Sequence, residues 1–219
     1  MLRVVMADLF NPAGQFQRID LPDSDVWLLP RMPMILNDVE LVDAIIAQTP
    51  WRQDDILIFG KRVTQPRLHA WYGDPEAVYT YSGLSNVPLA WTPVLTKIKM
   101  DVERVCGAAF NSVLLNLYRD GRDSMGMHAD NEPELGATPT IASLSLGATR
   151  TFILKHRTRS DIPTCRLALE SGSLLLMNGQ TQSHWKHGIN KQATVVGARL
   201  NLTFRLIRPS SGVERNIYF

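Results

Sequence analysis

His128-Ala129-Asp130 sets an imidazole and a carboxylate two residues apart. On an extended chain, residues i and i+2 project to the same side, so both groups can reach one ion. A third ligand is needed, and the chain offers only five histidines: His69, His128, His156, His184 and His187. Two of these lie beyond a strand-rich stretch, in His184-Trp185-Lys186-His187, and either could close the set. Two imidazoles and one carboxylate on one face leave metal positions open. That suits non-haem iron(II), with O₂ and a co-substrate filling the open positions. The His-x-Asp triplet alone is a weak signal, and its weight comes from a second group of residues.

That group is Arg199-Leu-Asn-Leu-Thr-Phe-Arg205. Arg199, Asn201, Thr203 and Arg205 share one face of a strand, and Leu200, Leu202, Phe204 and Leu206 share the other. In isolation this also describes an ordinary strand with one face in water. The spacing adds information: at strand rise the two arginine Cα atoms stand roughly 20 Å apart. With both side chains leaning inward, the remaining gap is of the order of a small dicarboxylate. Arginine grips carboxylates with paired, charge-assisted hydrogen bonds that lysine does not reproduce. In Ser112-Val-Leu-Leu-Asn-Leu-Tyr118, Asn116 and Tyr118 share a face and can complete a polar pocket.

The elements that must position these groups fall in two halves. Pro22, Pro30 and Pro33 predict an extended, irregular segment over residues 1–36. A helix is predicted over 38–48, with Asn37 as its cap and Leu41, Val42, Ile45 and Ile46 on one side. A second is predicted over 93–105, with Thr92 as cap, Pro93 in the first turn and Gly107 just past the end. From residue 111 the period changes to two, predicting strands over 112–119, 140–146, 150–156, 164–170, 173–178 and 196–207. Short strands joined by glycine-containing turns point to a double-sheet jelly roll, with the helices backing one sheet, an α+β protein.

Hydrophobic residues at 45% and charged residues at 20% are ordinary for a globular domain, and a net charge of +2 does not by itself indicate nucleic acid. Cys106 and Cys165 form no disulfide framework or zinc pattern. No apolar run approaches the roughly 20 residues that span a bilayer. Met1–Phe10 is a poor signal peptide, so the expected place is the cytoplasm, or the nucleus of a eukaryote, with no membrane partner and a monomeric state.

In register, five segments resemble the AlkB family of nucleic-acid dealkylases. They are Asn116-Leu-Tyr-Arg-Asp-Gly121, His128-Ala-Asp-Asn-Glu132, Ile141-Ala-Ser-Leu-Ser-Leu-Gly147, His187-Gly-Ile189 and Arg199-Leu-Asn-Leu-Thr-Phe-Arg205. Their order and spacing match across about residues 56–208. The resemblance implies a double-stranded β-helix core over 93–208, a nucleotide-recognition lid over 56–92 and an N-terminal extension over 1–55, all in one domain of residues 1–219. It implies His128, Asp130 and His187 as iron ligands, choosing His187 over His184. It implies that Asn116, Tyr118, Arg199, Asn201, Thr203 and Arg205 line the 2-oxoglutarate site. Arg199 would meet the distal carboxylate, with Arg205 nearer the metal.

The implied activity is an Fe(II)- and 2-oxoglutarate-dependent dioxygenase that uses O₂. It would demethylate 1-methyladenine and 3-methylcytosine in alkylated DNA, or RNA, and release formaldehyde. The main alternative is a protein or small-molecule substrate for the same chemistry. An enzyme acting on a base must receive it unstacked, so flat side chains are needed. Trp71 and Tyr72 are the candidates, with Tyr72 the first choice, and Glu132 is placed near the base. Ile58-Phe59-Gly60 matches an apolar finger that enters the stack in relatives acting on duplex DNA. Lys61, Arg62 and Arg67, and separately Lys155, Arg157 and Arg159, are candidates for phosphate contacts.

Overall fold

A computed structural model describes residues 14–33, 38–58, 61–77, 79–81 and 84–208. In chain order, β1 (Gln17–Ile19) and β2 (Asp25–Leu29) precede helix α1 (Asp38–Gln48). Then come β3 (Asp55–Ile58), β4 (Lys61–Thr64), β5 (Leu68–Gly73), β6 (Tyr79–Tyr81), β7 (Leu84–Asn86) and helix α2 (Pro93–Cys106). The C-terminal half holds β8 (Ser112–Tyr118), β9 (Met125–His128), β10 (Ile141–Gly147), β11 (Arg150–His156), β12 (Cys165–Leu169) and β13 (Leu174–Asn178). It ends with the single turn α3 (Thr181–His184), β14 (Trp185–Ile189) and β15 (Arg199–Arg205).

Seven strands form a large antiparallel sheet in the order β1-β2-β13-β10-β15-β8-β5. Four form a smaller one, β12-β11-β14-β9, and two hairpins, β3-β4 and β6-β7, stand apart. A cluster containing Val26, Ile141, Phe152, Leu154, Leu167, Leu175 and Trp185 joins the two sheets. The opposite face of the large sheet is covered by the helices. Leu41, Val42 and Ile45 of α1 and Leu95, Ile98 and Val102 of α2 pack with Leu144, Leu200, Leu202 and Phe204. The large sheet is therefore buried on both sides, and every residue of β15 is buried.

The sequence signals for α2 have direct counterparts. Leu95 donates its backbone N–H to Thr92 Oγ1 at 3.2 Å, Pro93 occupies the first turn, and Gly107 closes the helix at φ 64°. Asn37, expected to cap α1, lies outside the described residues.

Over residues 14–33, the described part of 1–36, the expectation of an irregular segment is corrected. β2 pairs with β13 from Asp25↔Asn178 to Leu29↔Leu174, and β1 extends the sheet by one strand more. Pro22 and Pro30 flank β2 rather than interrupt it, and strand edges accept proline. A run of five residues is too short to reveal its period; the sheet edge of β13 supplies the rest of its specification. β5, inside the segment 56–92, pairs with β8 over its whole length, from Leu68↔Leu117 to Gly73↔Ser112. Among the described residues no helix is long and apolar enough to cross a membrane.

Because Leu29 is 1% exposed inside the helix-side core, Leu29→Ala is expected to cost roughly 2–5 kcal/mol. Urea unfolding monitored by circular dichroism measures this, and a loss below half a kcal/mol would mean β2 is not part of the cooperative fold.

Candidate active site

β9 and β14 are neighbours in the small sheet, and their register sets His128 opposite His187. The two rings lie with centroids 4.3 Å apart. Asp130 follows two residues after His128, with its Oδ1 3.6 Å from His128 Nε2. One ligand atom from each of the three residues lies within 4.8 Å of the others. Asp130 and His187 are both 5% exposed.

The surroundings prepare each group for a cation. His128 Nδ1 lies 2.9 Å from Gly126 O and donates its proton there, which leaves Nε2, on the Asp130 side, as the nitrogen placed for a metal. His187 stacks on Phe152, with centroids 5.2 Å apart and planes at 22°. Burial, helped by His128 and Arg205 and opposed by Asp130, lowers the His187 pKa to about 3. The ring is therefore a neutral ligand at ordinary pH. Burial alone would raise the Asp130 pKa, but Arg205, His187 and His128 overcome it and hold the carboxyl below the usual carboxylate range. Asp130 Oδ2 accepts from Arg205 Nη2 at 2.7 Å, and its backbone N–H donates to Gln182 Oε1 at 3.0 Å. Sequence reasoning missed Gln182, because nothing local marks a glutamine in a four-residue turn as the brace of a distant main-chain N–H.

His184 stands elsewhere. It ends α3, three residues before His187, and meets Gln180 Oε1 at 3.3 Å. With Asp23 and His156 it forms a second group of close donor atoms. His156 Nδ1 there accepts backbone N–H groups from Arg159 at 3.0 Å and Thr158 at 3.3 Å. Its Nε2 must then carry a proton, which faces Asp23 Oδ2 at 3.4 Å. That nitrogen has no lone pair for a metal, so only the first cluster is suited to one.

Below the first cluster runs the polar face of β15. Arg199 lies opposite Tyr118 and Asn201 opposite Asn116. Asn201 Nδ2 donates to Ser143 Oγ at 2.8 Å, and Thr203 Oγ1 donates to Asn201 Oδ1 at 3.0 Å. Arg199 Nη2 donates to Ser145 Oγ at 2.8 Å, while its Nε and Nη1 are buried with no acceptor. Among the described residues no carboxylate pairs with this fully buried cation. Two open donors on an unneutralised arginine fit the far carboxylate of an oxo diacid. Ser143 and Ser145, on β10, are further residues that the sequence did not single out.

His128, Asp130 and His187, together with Asn116, Tyr118, Ser143 and the polar face of β15, border a cavity of about 820 Å³ that also reaches Trp51, Arg67, His69, Trp71, Leu89 and Glu132. Trp71 lines it, half-buried. Tyr72 does not: it is 3% exposed and packs in the helix-side core. The expectation that Tyr72 meets a base is corrected, because consecutive strand residues face opposite ways and β5 turns Trp71 to the cavity. Glu132 lines the cavity with Oε2 buried and without a hydrogen-bond partner.

Arg67 points inward as well, donating from Nε to Asn116 Oδ1 at 2.8 Å. Ile58 pairs with Lys61 in the β3-β4 hairpin. Phe59 and Gly60 lie outside the described residues, as does the side chain of Ile58. Of the second basic group, Lys155 and Arg157 are exposed, whereas Arg159 is tied to Asp161 at 2.9 Å and to Asp23 at 3.6 Å.

Comparison with known proteins identifies the class. The family model described as the 2OG-Fe(II) oxygenase superfamily matches residues 28–205, and that class uses iron(II), 2-oxoglutarate and O₂. Mouse DNA oxidative demethylase ALKBH2 is 44% identical over 161 residues, covering 71% of this chain and 67% of the relative. Rat alpha-ketoglutarate-dependent dioxygenase alkB homolog 3 is 39% identical over 199 residues, covering 87% and 62%. Arabidopsis ALKBH2 is 33% identical over 211 residues, covering 84% and 67%. The chain belongs to the AlkB family of that superfamily. It spans 62–67% of the length of these three relatives. The solved structure of OsALKBH1 shares the fold, with a TM-score of 0.57 at 18% identity, covering 88% of this chain and all of that one.

Since His187 closes the cluster and His184 does not, His187→Ala is expected to weaken divalent-metal binding by at least about tenfold. His184→Ala should leave it within about twofold on the same basis. Anaerobic Co(II) titration, followed by its visible absorption, reads both, and the opposite ranking would displace His187 as the third ligand.

Proposed function

We propose that this chain repairs alkylated DNA, with RNA as a second polymer, by oxidative demethylation of 1-methyladenine and 3-methylcytosine. The observation that carries this reading is the cavity itself. It runs from the His128, Asp130 and His187 cluster to an aromatic wall at Trp71 and an unpartnered carboxylate oxygen at Glu132. Methylation at those ring nitrogens leaves the base cationic, and a buried carboxylate complements a flat cation. The relatives named DNA oxidative demethylase support the same polymer.

His128, Asp130 and His187 would hold iron(II). Bound there with 2-oxoglutarate and O₂, it supplies the oxidation of an N-methyl carbon, which leaves as formaldehyde. The chain's own residues do the rest. Arg199, with its two open donors, binds the far carboxylate of 2-oxoglutarate, assisted by Tyr118. Asn116, Asn201 and Thr203 line the floor, and Arg205 steers the Asp130 carboxylate. Trp71 stacks on an unstacked base and Glu132 accepts from its exocyclic amino group.

The segment over 56–92 acts as the recognition lid of a single catalytic unit, although β5 within it belongs to the main sheet. Ile58-Phe59-Gly60, which in sequence links β3 to β4, fills the gap left in a duplex. Exposed Lys155 and Arg157 meet phosphates.

The test is formaldehyde release from oligonucleotides carrying 1-methyladenine or 3-methylcytosine, with iron(II), ascorbate and 2-oxoglutarate. Single-stranded DNA, duplex DNA and RNA are compared. Lesion-dependent formaldehyde is expected; succinate formed without it would send the same chemistry to a protein or small-molecule substrate. In that assay Phe59→Ala should lower duplex turnover at least about fivefold more than single-strand turnover, the scale of losing one apolar wedge. Equal loss on both would remove the finger.

A further inference from the structure

Arg150 has no part in the site described so far. It begins β11 in the small sheet and is 1% exposed. Its guanidinium donates only to neutral acceptors. Nη1 reaches Asp120 O at 3.0 Å, Nη2 reaches Asn190 O at 2.7 Å and Asp123 O at 2.8 Å, and Nε reaches Gln192 Oε1 at 3.1 Å. The two nearby carboxylates are claimed by other cations. Asp123 holds Arg119 through both oxygens, at 2.8 and 2.9 Å, and Asp120 holds Arg122 at 2.6 Å. Among the described residues no carboxylate forms a direct ion pair with Arg150; Asp123 and Asp120 act on it only at longer range, and burial outweighs them.

The placement of that charge is specific. Its guanidinium carbon lies 5.5 Å from the centre of the Tyr118 ring, and that of Arg199 lies 5.2 Å from the same centre. Two buried guanidinium groups, neither in a direct ion pair, therefore lie against one phenol; Arg199 and Tyr118 line the cavity and Arg150 stands behind them. Like charges so placed are unfavourable in the empty protein, and removing charge from water without pairing it is costly. Burial indeed lowers the pKa of both groups from the ordinary arginine value. An arrangement of this kind is stabilised by an anion carrying more charge than Arg199 alone can match.

We propose that Arg150 is a specificity-determining residue for the co-substrate, a second buried positive charge that acts with Arg199 across Tyr118 to select an oxo acid with two carboxylates. The inference rests on the 2-oxoglutarate site proposed above. Direct contact with the ligand is not required: a unit charge several ångströms away through a poorly screened interior still contributes on the scale of a kilocalorie. Holding the 120–123 and 190–192 backbones in place is the accompanying structural task. Those loops are pressed close enough that a Cβ at Gly121 would overlap Gln192 O.

The test measures binding rather than turnover. The 219-residue chain, loaded with Mn(II) under anaerobic conditions, is titrated calorimetrically with 2-oxoglutarate. A second titration uses 2-oxopentanoate, which has the same chain length but no far carboxylate. Arg150→Gln is expected to raise the Kd of 2-oxoglutarate about tenfold while moving that of 2-oxopentanoate less than about twofold. Arg150→Lys keeps the charge but lacks the planar fork that serves four acceptors. It should bind 2-oxoglutarate within about threefold of the unmodified protein.

Equal loss of both oxo acids in the Gln variant would overturn the proposal, since a loop brace affects both alike. If the Gln variant does not fold, the Lys variant decides alone: a Kd for 2-oxoglutarate raised tenfold or more would show that the fork matters and the charge does not. Failure of the unmodified protein to bind either oxo acid would overturn the parent reading of the site, a result distinct from loss of discrimination at Arg150.

Discussion

Asp130 and Arg205 meet at 2.7 Å with side chains only 7% and 9% exposed, and the geometry of the site depends on that contact. Asp130 follows a strand of the small sheet, and Arg205 ends a central strand of the large one. The pair therefore joins the two layers where the metal ligands converge. It occupies one carboxylate oxygen and leaves the other toward the two histidines. Breaking a buried pair of this kind by removing one partner costs about 3–5 kcal/mol, because the remaining charge is left uncompensated. The Asp130 backbone N–H, donated to Gln182 Oε1, holds the main chain of the same residue from a second direction.

The buried polar face of β15 follows from the way the large sheet is covered. Helices α1 and α2 take one side of it, and the small sheet takes the other. β15 is consequently buried on both faces, although its sequence alternates as though one face were wet. The polar face then cannot find water, and its groups bond to Ser143, Ser145, Asp130 and one another. Arg199 is left with two donors and no acceptor. Binding polarity is in this sense produced by the layering: the same strand at an edge would be an ordinary solvated one.

The interior is marked by cations more than by acids. Arg150, Arg199 and Arg205 are all at least nine-tenths buried, yet among the described residues only Arg205 has a carboxylate partner. A chain with a net charge of just +2 thus concentrates positive charge in its interior. Bulk charge, spread over acids and bases that neutralise one another on the surface, gives no sign of this.

Much of the chemistry was legible in residue types and spacing. His128 and Asp130 two apart, the alternation of Arg199 through Arg205, and the capped helix after Thr92 all express local periods. Local periods survive in sequence because they depend on backbone geometry alone. What escaped depended on contacts between distant segments. β2 is five residues long and is specified by the edge of β13, not by its own pattern. Trp71 and Tyr72 are adjacent aromatics of similar character, and only the pairing of β5 with β8 decides that Trp71 lines the cavity while Tyr72 packs in the core. His184 and His187 are equally good ligands in one dimension; the turn at α3 and the register of β14 with β9 separate them. The sequence by itself determined which groups were available and on which side of their own strand they stand. Tertiary structure decided which layer lies over that side, and so which of those groups meet.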